Sequence, residues 1–576
     1  MKAGGDYFVN PATAAQRRYE ALRSYLYDDE SAEVVAGRFG YTPATVRQLA
    51  SELRAGRLQL FADARPGPKG PRKQPKIRVR VLELRARDLS ITQIANILTD
   101  EGMPVSHDTV WQVLTSEGLE RLAVRGAGRP PPPTPVPRTP AVKVKALDEW
   151  PAGARIETEH AGLYLLLPAL VEFGYADAVA AAKYPSTKTL SSWQSMTSLL
   201  LCKLARHRRI HHVEDLAADP AIGLVVGLNS LPKTTHLSGY SHRVERTSNQ
   251  KLLAALAGRL IELGVVTGTD GFNLDFHAIR HHGDDPPLEN NYVPKRSQST
   301  TSVLSFVAQD HHSQEPVYAN ADVLKAHKAR EVLAFVDYWQ ALTGQVPSPL
   351  VFDSQLTTYD VLDELSARGI TWLTLRKRGK KEIKRLQALP ANAWQRVRID
   401  RAGRYRNPHL CDEMIQLDQI SHPVRQIAVK NIGRDLPTLA ITNNHDTTAK
   451  ALFTRYAERM LIENELAYLI GGFHLDALSS GLALNVDLDT TLTVAAANTY
   501  RLFARHLPRY ERAQPERLHR DFIDAKGTIH IDHDTVTVDI DPRTYSPVLL
   551  DVGYQTLQTP IPWWNNRRLR FTFPPR

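Results

Sequence analysis

Apolar residues recur at helical spacing through the first 122 residues, in two units that resemble one another. In SAEVVAGRFGYTPATVRQLASEL, Val34, Val35 and Phe39 are expected to form one apolar face and Gly40 a turn. Thr42 then acts as an N-cap with Pro43 at the first helical position. A second helix follows with Val46, Leu49 and Leu53 inward. LSITQIANILTDEGMPVSHDTVWQVLTSEGL repeats the scheme, with Ile91, Ile94, Ala95 and Leu98 inward, Gly102 turning, Ser106 capping, then Val110, Val113 and Leu114. The proline-dense RGAGRPPPPTPVPRTPAVKVK, from Arg125, excludes helix and central strand and implies an extended spacer. Helical spacing returns over 163–182, 192–204 and 249–263. After Val266 the pattern alternates. NLDFHAI around Asp275, SVLSFVAQ from Ser302 and EPVYANAD from Glu315 predict three short strands. A helix over 328–342, a strand PLVFD ending at Asp353, a helix through TTYDVLDELSARG and a strand TWLTLRK follow.

Three strands, helix, strand, helix, strand is the order of an RNase H-like fold, which brings a carboxylate in the first strand beside one ending the fourth. The fold class expected is multidomain α/β: N-terminal helical helix-turn-helix domains, then an RNase H-like α/β catalytic core with a β-rich insertion. The expected divisions are a helix-turn-helix module over 1–64, a basic flexible linker over 65–76 and a second module over 77–124. A Pro-rich linker covers 125–145, a helical domain 146–266 and the first part of the core 267–376. The insertion, where QRVRIDRAGRYR, EMIQLDQI, VRQIAVKNIG and PTLAITNN alternate like strands, covers 377–445. A core helix carrying a glutamate occupies 446–485, and 486–576 holds a small β unit, TIHIDHDTVTVDI, with WWNNRRLRF near its end.

With 576 residues, 42% of them hydrophobic, the chain can bury several cores. Its net charge of +10 favours a polyanionic partner, nucleic acid being the commonest, though charge alone does not separate DNA from RNA or a membrane surface. Cys202 and Cys411 are the two cysteines, which excludes a disulfide framework and a cysteine-built zinc finger and fits a reducing cytosol. The opening MKAGGDYFVNPATAAQRRYE has no signal-peptide core, and the most apolar stretch is broken by Pro168, Glu172 and Asp177, so no export and no membrane span are expected.

In a helix-turn-helix module the second helix enters the major groove. The residues so placed are Ala44, Thr45, Arg47 and Gln48 in one unit and His107, Asp108, Thr109 and Gln112 in the other; ordinary helical hairpins are the alternative. From Arg65 to Arg87 nine Lys or Arg stand against Glu83 alone, which suits phosphate contact or, equally, a solvated linker. ARHRRIHH, with His207, His211 and His212, suits phosphate too, but such clusters are more often a solvated face.

Two-metal phosphoryl transfer requires converging carboxylates that hold two hard cations about 4 Å apart. Asp275 sits between Leu274 and Phe276, and Asp353 follows Leu350, Val351 and Phe352, each a charge within an apolar run. A lone Asp at either place would more often be a strand-end or capping residue. In LFTRYAERMLIENELAYLI, Tyr456, Arg459 and Glu463 fall at i, i+3 and i+7 and share one helix face. There Glu463 can complete a metal site, Arg459 can grip a phosphate and Tyr456 can hydrogen-bond beside it. RKRGKKEIKR offers Arg376, Lys377, Arg378, Lys380 and Lys381 as a DNA-tracking surface, or a solvated loop. HHGDD at 281–285 has metal-ligand residue types but reads as a loop, and Asp270 precedes Gly271 in a turn, so neither displaces Asp275.

The carboxylate triad, the strand order and the Tyr-Arg-Glu spacing resemble DDE transposases of bacterial insertion sequences, in the group with a Tyr-x2-Arg-x3-Glu-x6-Lys signature. The resemblance covers roughly 163–482 and includes NSLPKTTHLSGYSHRV from Asn229. It implies that Asp275, Asp353 and Glu463 hold two Mg2+ ions, with Mn2+ as a substitute, and that Tyr456 and Arg459 contact phosphate. It implies nicking at the element's ends and attack of the freed 3′-hydroxyl on target DNA. The partners implied are double-stranded DNA, at terminal inverted repeats and target, and further copies of the chain in a homodimer or higher oligomer, with no membrane. The location implied is the cytoplasm of a bacterial cell, on the nucleoid. The family's insertion sometimes stacks an aromatic on a flipped base, a role open to Trp372 or Trp394 if either is not a core residue. Ile470 departs from the signature, which has lysine there. The rival expectations are a domesticated, non-catalytic DNA-binding protein and a nuclease without strand transfer.

Overall fold

The computed structural model describes residues 14–55, 58, 74–85, 91–101, 103, 105–116, 152–208, 212–280, 289–293, 298–354, 356, 358–399, 407–433, 436–477 and 483–574. The HHGDD motif, His211 and the side chains of Asp108 and Gln112 lie outside them. The chain forms two compact units, Met1–Pro140 and Ala141–Arg576.

In the first unit the helices Ala14–Leu26, Ala32–Phe39 and Pro43–Arg54 enclose Ala21, Ala32, Val35, Ala36, Phe39 and Val46. Ser31 and Thr42 cap the second and third of these, and Gly40, at φ 69°, lets the chain leave the second in a left-handed turn. Val34 is 53% exposed, contrary to the expectation, because the helical period places 32, 35, 36 and 39 together on the other side. A second bundle joins Gln74–Arg85, Ile91–Asp100 and His107–Ser116 around Ile77, Val81, Leu84, Ile94, Ala95, Leu98, Val110, Val113 and Leu114. The basic arm is therefore helical over Gln74–Arg85. Ile77, Val81 and Leu84 form the stripe it buries against the other two helices.

The second unit is built on a 10-stranded sheet. Its strands are β2 (Phe272–Arg280), β3 (Glu289–Val293), β4 (Gln298–Asp310), β5 (Pro316–Val323), β6 (Leu350–Phe352), β7 (Trp372–Leu375), β8 (Gln395–Arg396), β9 (His409–Ile415), β10 (Val424–Lys430) and β11 (Thr438–Thr442). The order is β3-β4-β2-β6-β7-β11-β10-β9-β8, with β5 also on β4. β2 and β4 are antiparallel, β2–β6 and β6–β7 parallel, and β11, β10, β9 and β8 continue antiparallel from β7. The alternating segments expected as an insertion thus extend the edge of the same sheet. At the start of β2 the Phe272 amide donates to the Pro349 carbonyl at 2.9 Å. Gly271, at φ 73°, permits that approach, since a Cβ there would stand 1.9 Å from the same carbonyl oxygen.

A second, five-stranded sheet joins β1 (Ala154–Thr158) to β12 (Gly527–Ile531), β13 (Thr535–Ile540), β15 (Arg568–Thr572) and β14 (Thr559–Pro560). The small C-terminal β unit therefore takes one strand from just after the Pro-rich segment. One continuous apolar cluster runs from Ala161 and Leu163 through Phe272, Phe335 and Phe352 to Tyr500, Trp564 and Phe571, so the divisions expected near 266 and 485 do not interrupt the core. Among the described residues no single helix is long and apolar enough to cross a membrane, and the apolar pair Ala161–Glu172 and Tyr175–Ala182 bends by 63°.

Candidate active site at a parallel strand pair

Leu274 of β2 is the register partner of Phe352 of β6 in the parallel pair, so Asp275, within β2, lies level with Asp353, the first residue after β6. Alternation of side chains then sends both carboxylates to one face at the seam of the sheet. The Asp275 side chain is 15% exposed and accepts a hydrogen bond from the Phe276 amide at 2.8 Å. Burial pushes its carboxyl up to about 6; the Arg459 guanidinium opposes that rise and the neighbouring Asp353 charge adds to it.

The segment expected as one helix is two, Ala449–Glu458 and Met460–Phe473, joined at Arg459. The break is local tightening: the Arg459 amide donates to Tyr456 O and the Ile462 amide to Arg459 O, both at 3.0 Å and both three residues back. Tyr456, Arg459 and Glu463 still line one side. Arg459, 11% exposed, donates from Nη1 to Asp275 Oδ2 at 3.0 Å and from Nη2 to Glu463 Oε1 at 3.2 Å. Its guanidinium carbon stands 5.8 Å from the centre of the Tyr456 ring, and burial pushes the Tyr456 hydroxyl up to about 12, which keeps it protonated. Arg459, expected to grip phosphate, is thus ion-paired with two acids of the triad, and Glu463 points outward with its side chain 51% exposed. Among the described residues, the three carboxylates do not form a group whose ligand atoms lie within 4.8 Å of one another. The guanidinium between Asp275 and Glu463 is the physical reason.

The donors themselves are all oxygen and anionic, which suits a hard divalent cation such as Mg2+ or Mn2+. The raised Asp275 pKa reflects in part the repulsion such a cation relieves. Two residues outside the expected set belong to this neighbourhood. Lys328, in the 3-10 turn Lys325–Arg330, is pushed down by burial, with the Asp353 charge opposing and Lys377 adding, so Lys328 stands within the field of Asp353. Arg455 donates to Asn273 Oδ1 at 2.7 Å and so fixes the first helix to β2 two residues before Asp275. The basic run KAHKAR was the available sequence signal for Lys328, whereas nothing local marks Asn273 as a partner of Arg455.

The other expected residues are scattered by comparison. Arg376 turns inward, donating to Gln426 Oε1 at 2.7 Å, whereas Arg378, Lys380 and Lys381 are exposed around the start of a short helix, Lys380–Gln387. Trp372 and Trp394 are both core residues, 0% and 7% exposed, so neither is presented to a flipped base. Ile470 packs against the main core at the place of the signature lysine. Asp270 pairs with His312 at 3.4 Å. In the first unit Arg47 pairs with Glu33 at 2.5 Å, Gln48 donates to Glu52 at 2.9 Å, the Thr45 and Thr109 hydroxyls share hydrogen bonds with their capping Thr42 and Ser106, and His107 is exposed.

No protein-family model matches the chain, and no curated protein matches it in sequence. Among solved structures, the chain is similar to a piggyBac transposase synaptic complex with hairpin DNA, with a TM-score of 0.34 and 9% identity, covering 61% of this chain and 77% of that one.

Proposed function

We propose that the chain is a DDE-type transposase that binds element-end DNA and carries out metal-dependent nicking and strand transfer through an RNase H-like core. The observation that supports this is the pair Asp275, inside β2, and Asp353, directly after the parallel neighbour β6, held level beside the helix junction that carries Arg459 and Glu463. Asp275 and Asp353 would hold the divalent cations, and Glu463 would join them on leaving Arg459. Two such ions, when bound, supply charge stabilisation of the attacking and leaving oxygens. Arg459, released in the same exchange, is then free to face phosphate, with the protonated Tyr456 hydroxyl beside it as a donor. The two bundles of the first unit, read as helix-turn-helix modules, would present Thr45, Arg47 and Gln48, and His107, Thr109 and Gln112, to the major groove. Arg378, Lys380 and Lys381 add an exposed basic surface for backbone contact.

The test is incubation of the full chain with Mg2+ and DNA carrying the inverted repeats that flank its coding region. Nicks bearing 3′-hydroxyls and their joined products are expected. Nicks without joining would leave a nuclease, and binding without nicks a DNA-binding protein. That last reading has its own support in Ile470 and in the guanidinium that spans the acids.

Asp275 must be ionised to hold a cation. Cation affinity and nicking are therefore expected to be full well above pH 6 and to fall as the pH drops through about 6, where its carboxyl takes up a proton. The stability contribution has the opposite sign. A carboxyl raised above its unfolded value favours the folded chain at low pH, and that contribution is lost as the pH rises through about 6. Mn2+ binding followed by electron paramagnetic resonance across pH 5–8 checks the first expectation; a flat profile would contradict it.

A further inference from the structure

Outside the carboxylate site, the residues just after the helix Ser192–Leu204 and those at the start of the helix Val213–Ala217 gather a different set of donors. His207, His212 and Asp215 each present one ligand atom, and all three lie within 4.8 Å of one another. The imidazoles of His207 and His212 are parallel within 9° with centroids 5.6 Å apart, and His212 Nδ1 is 3.3 Å from Asp215 Oδ2. Local structure explains the grouping. His212 directly precedes the helix Val213–Ala217 without a side-chain capping bond, and Asp215, three residues on, lies in its first turn. His207 is fixed from the other side, where its amide donates to Cys202 O at 2.8 Å and Arg206 turns the chain at φ 59°. Arg206 is itself anchored, donating to the carbonyls of Gly471 and Gly472 at 3.0 Å each, and its own carbonyl lies 3.0 Å from His474 Nε2.

We propose that His207, His212 and Asp215 form a binding site for one transition-metal ion of the Zn2+ class. Two imidazole nitrogens and one carboxylate oxygen are three of the four ligands of a tetrahedral ion, with water as the fourth. Nitrogen donors favour Zn2+, Co2+ or Ni2+ over Mg2+, so this site and the all-oxygen triad select different metals. The ion would clamp the turn after Leu204 onto the helix Val213–Ala217. Through Arg206 the clamp reaches the C-terminal end of the helix Met460–Phe473, whose first turn holds Glu463.

The test uses the full-length, untagged chain, stripped with chelator and titrated with Co2+. With excess Mg2+ present to fill the carboxylate site, one Co2+ per chain is expected, with the visible absorption of a tetrahedral centre, and displaced by Zn2+. Asp215→Asn, at a side chain 72% exposed and so without consequence for folding, is expected to weaken binding by about tenfold or more. His207→Gln with His212→Gln is expected to abolish it; if that double variant fails to fold, Asp215→Asn alone decides. Binding of several weak ions unchanged by Asp215→Asn, meaning an adventitious ion only, overturns the proposal, as does the absence of saturable binding or full competition by Mg2+.

Discussion

Asp353→Asn is expected to slow Mg2+-dependent nicking on the order of a thousandfold while leaving folding and DNA affinity unchanged. Asn keeps the shape of the side chain at the end of β6 but removes a negative charge from the set that holds cations. A bound metal contributes several kcal/mol of transition-state stabilisation, and about 4 kcal/mol corresponds to a thousandfold in rate. The coupling to Asp275 gives a second readout. The Asp353 charge is one cause of the raised Asp275 pKa, so residual Mn2+ binding in the variant should persist to lower pH than in the wild type. Single-turnover nicking, a thermal melt and a salt titration of DNA binding separate these effects. A rate within tenfold of wild type would remove Asp353 from the metal site.

Arg501→Met is expected to destabilise the second unit by about 3–5 kcal/mol at pH 8, the usual consequence of stripping a buried ion pair of one partner. Arg501 lies on the helix Ala483–Ala504, ion-pairs with Glu465, donates to Glu315 Oε2 at 3.1 Å and stands 4.3 Å from the centre of the Tyr468 ring. Glu465 is 2% and Glu315 7% exposed, so neither acid has water to replace the guanidinium. Burial already pushes Glu315 up to about 7 and raises Glu465, with Arg501 opposing in both cases. An acid raised in the folded state contributes stability that is present below its unfolded pKa, near 4, and lost as the pH rises through its folded value. Removing Arg501 raises both folded values further. The gap between variant and wild type is therefore expected to be small near pH 5 and to widen toward pH 8. Urea midpoints at the two pH values check this, and an equal gap at both would show that the charges are not the cause. Glu465 is two residues from Glu463, so the variant is also expected to loosen the helix that presents the candidate ligand.

Much of the local architecture was legible from periodicity. Alternation around Asp275 and the apolar run before Asp353 specify strands, because one face or both must be buried, and a charge inside such a run stands out. The i, i+3, i+7 spacing of Tyr456, Arg459 and Glu463 specifies a shared side, and that side survives the break at Arg459. Long-range pairings were not legible, since a pattern read along the chain says which face is apolar but not what it meets. β1 pairs with β12 across more than 350 residues, and β11 joins β7 instead of closing a separate sheet.

The sequence by itself determined the strands around Asp275 and before Asp353 and which acids stand alone among apolar neighbours, because both follow from the spacing of side chains on a helix or a pleat. Only the tertiary structure decided that Asp275 and Asp353 are level, that Arg459 pairs with acids, and that Glu465 is buried against Arg501. Each of those depends on strand register or on the charge balance of a buried space, and both are set by residues far apart in the chain.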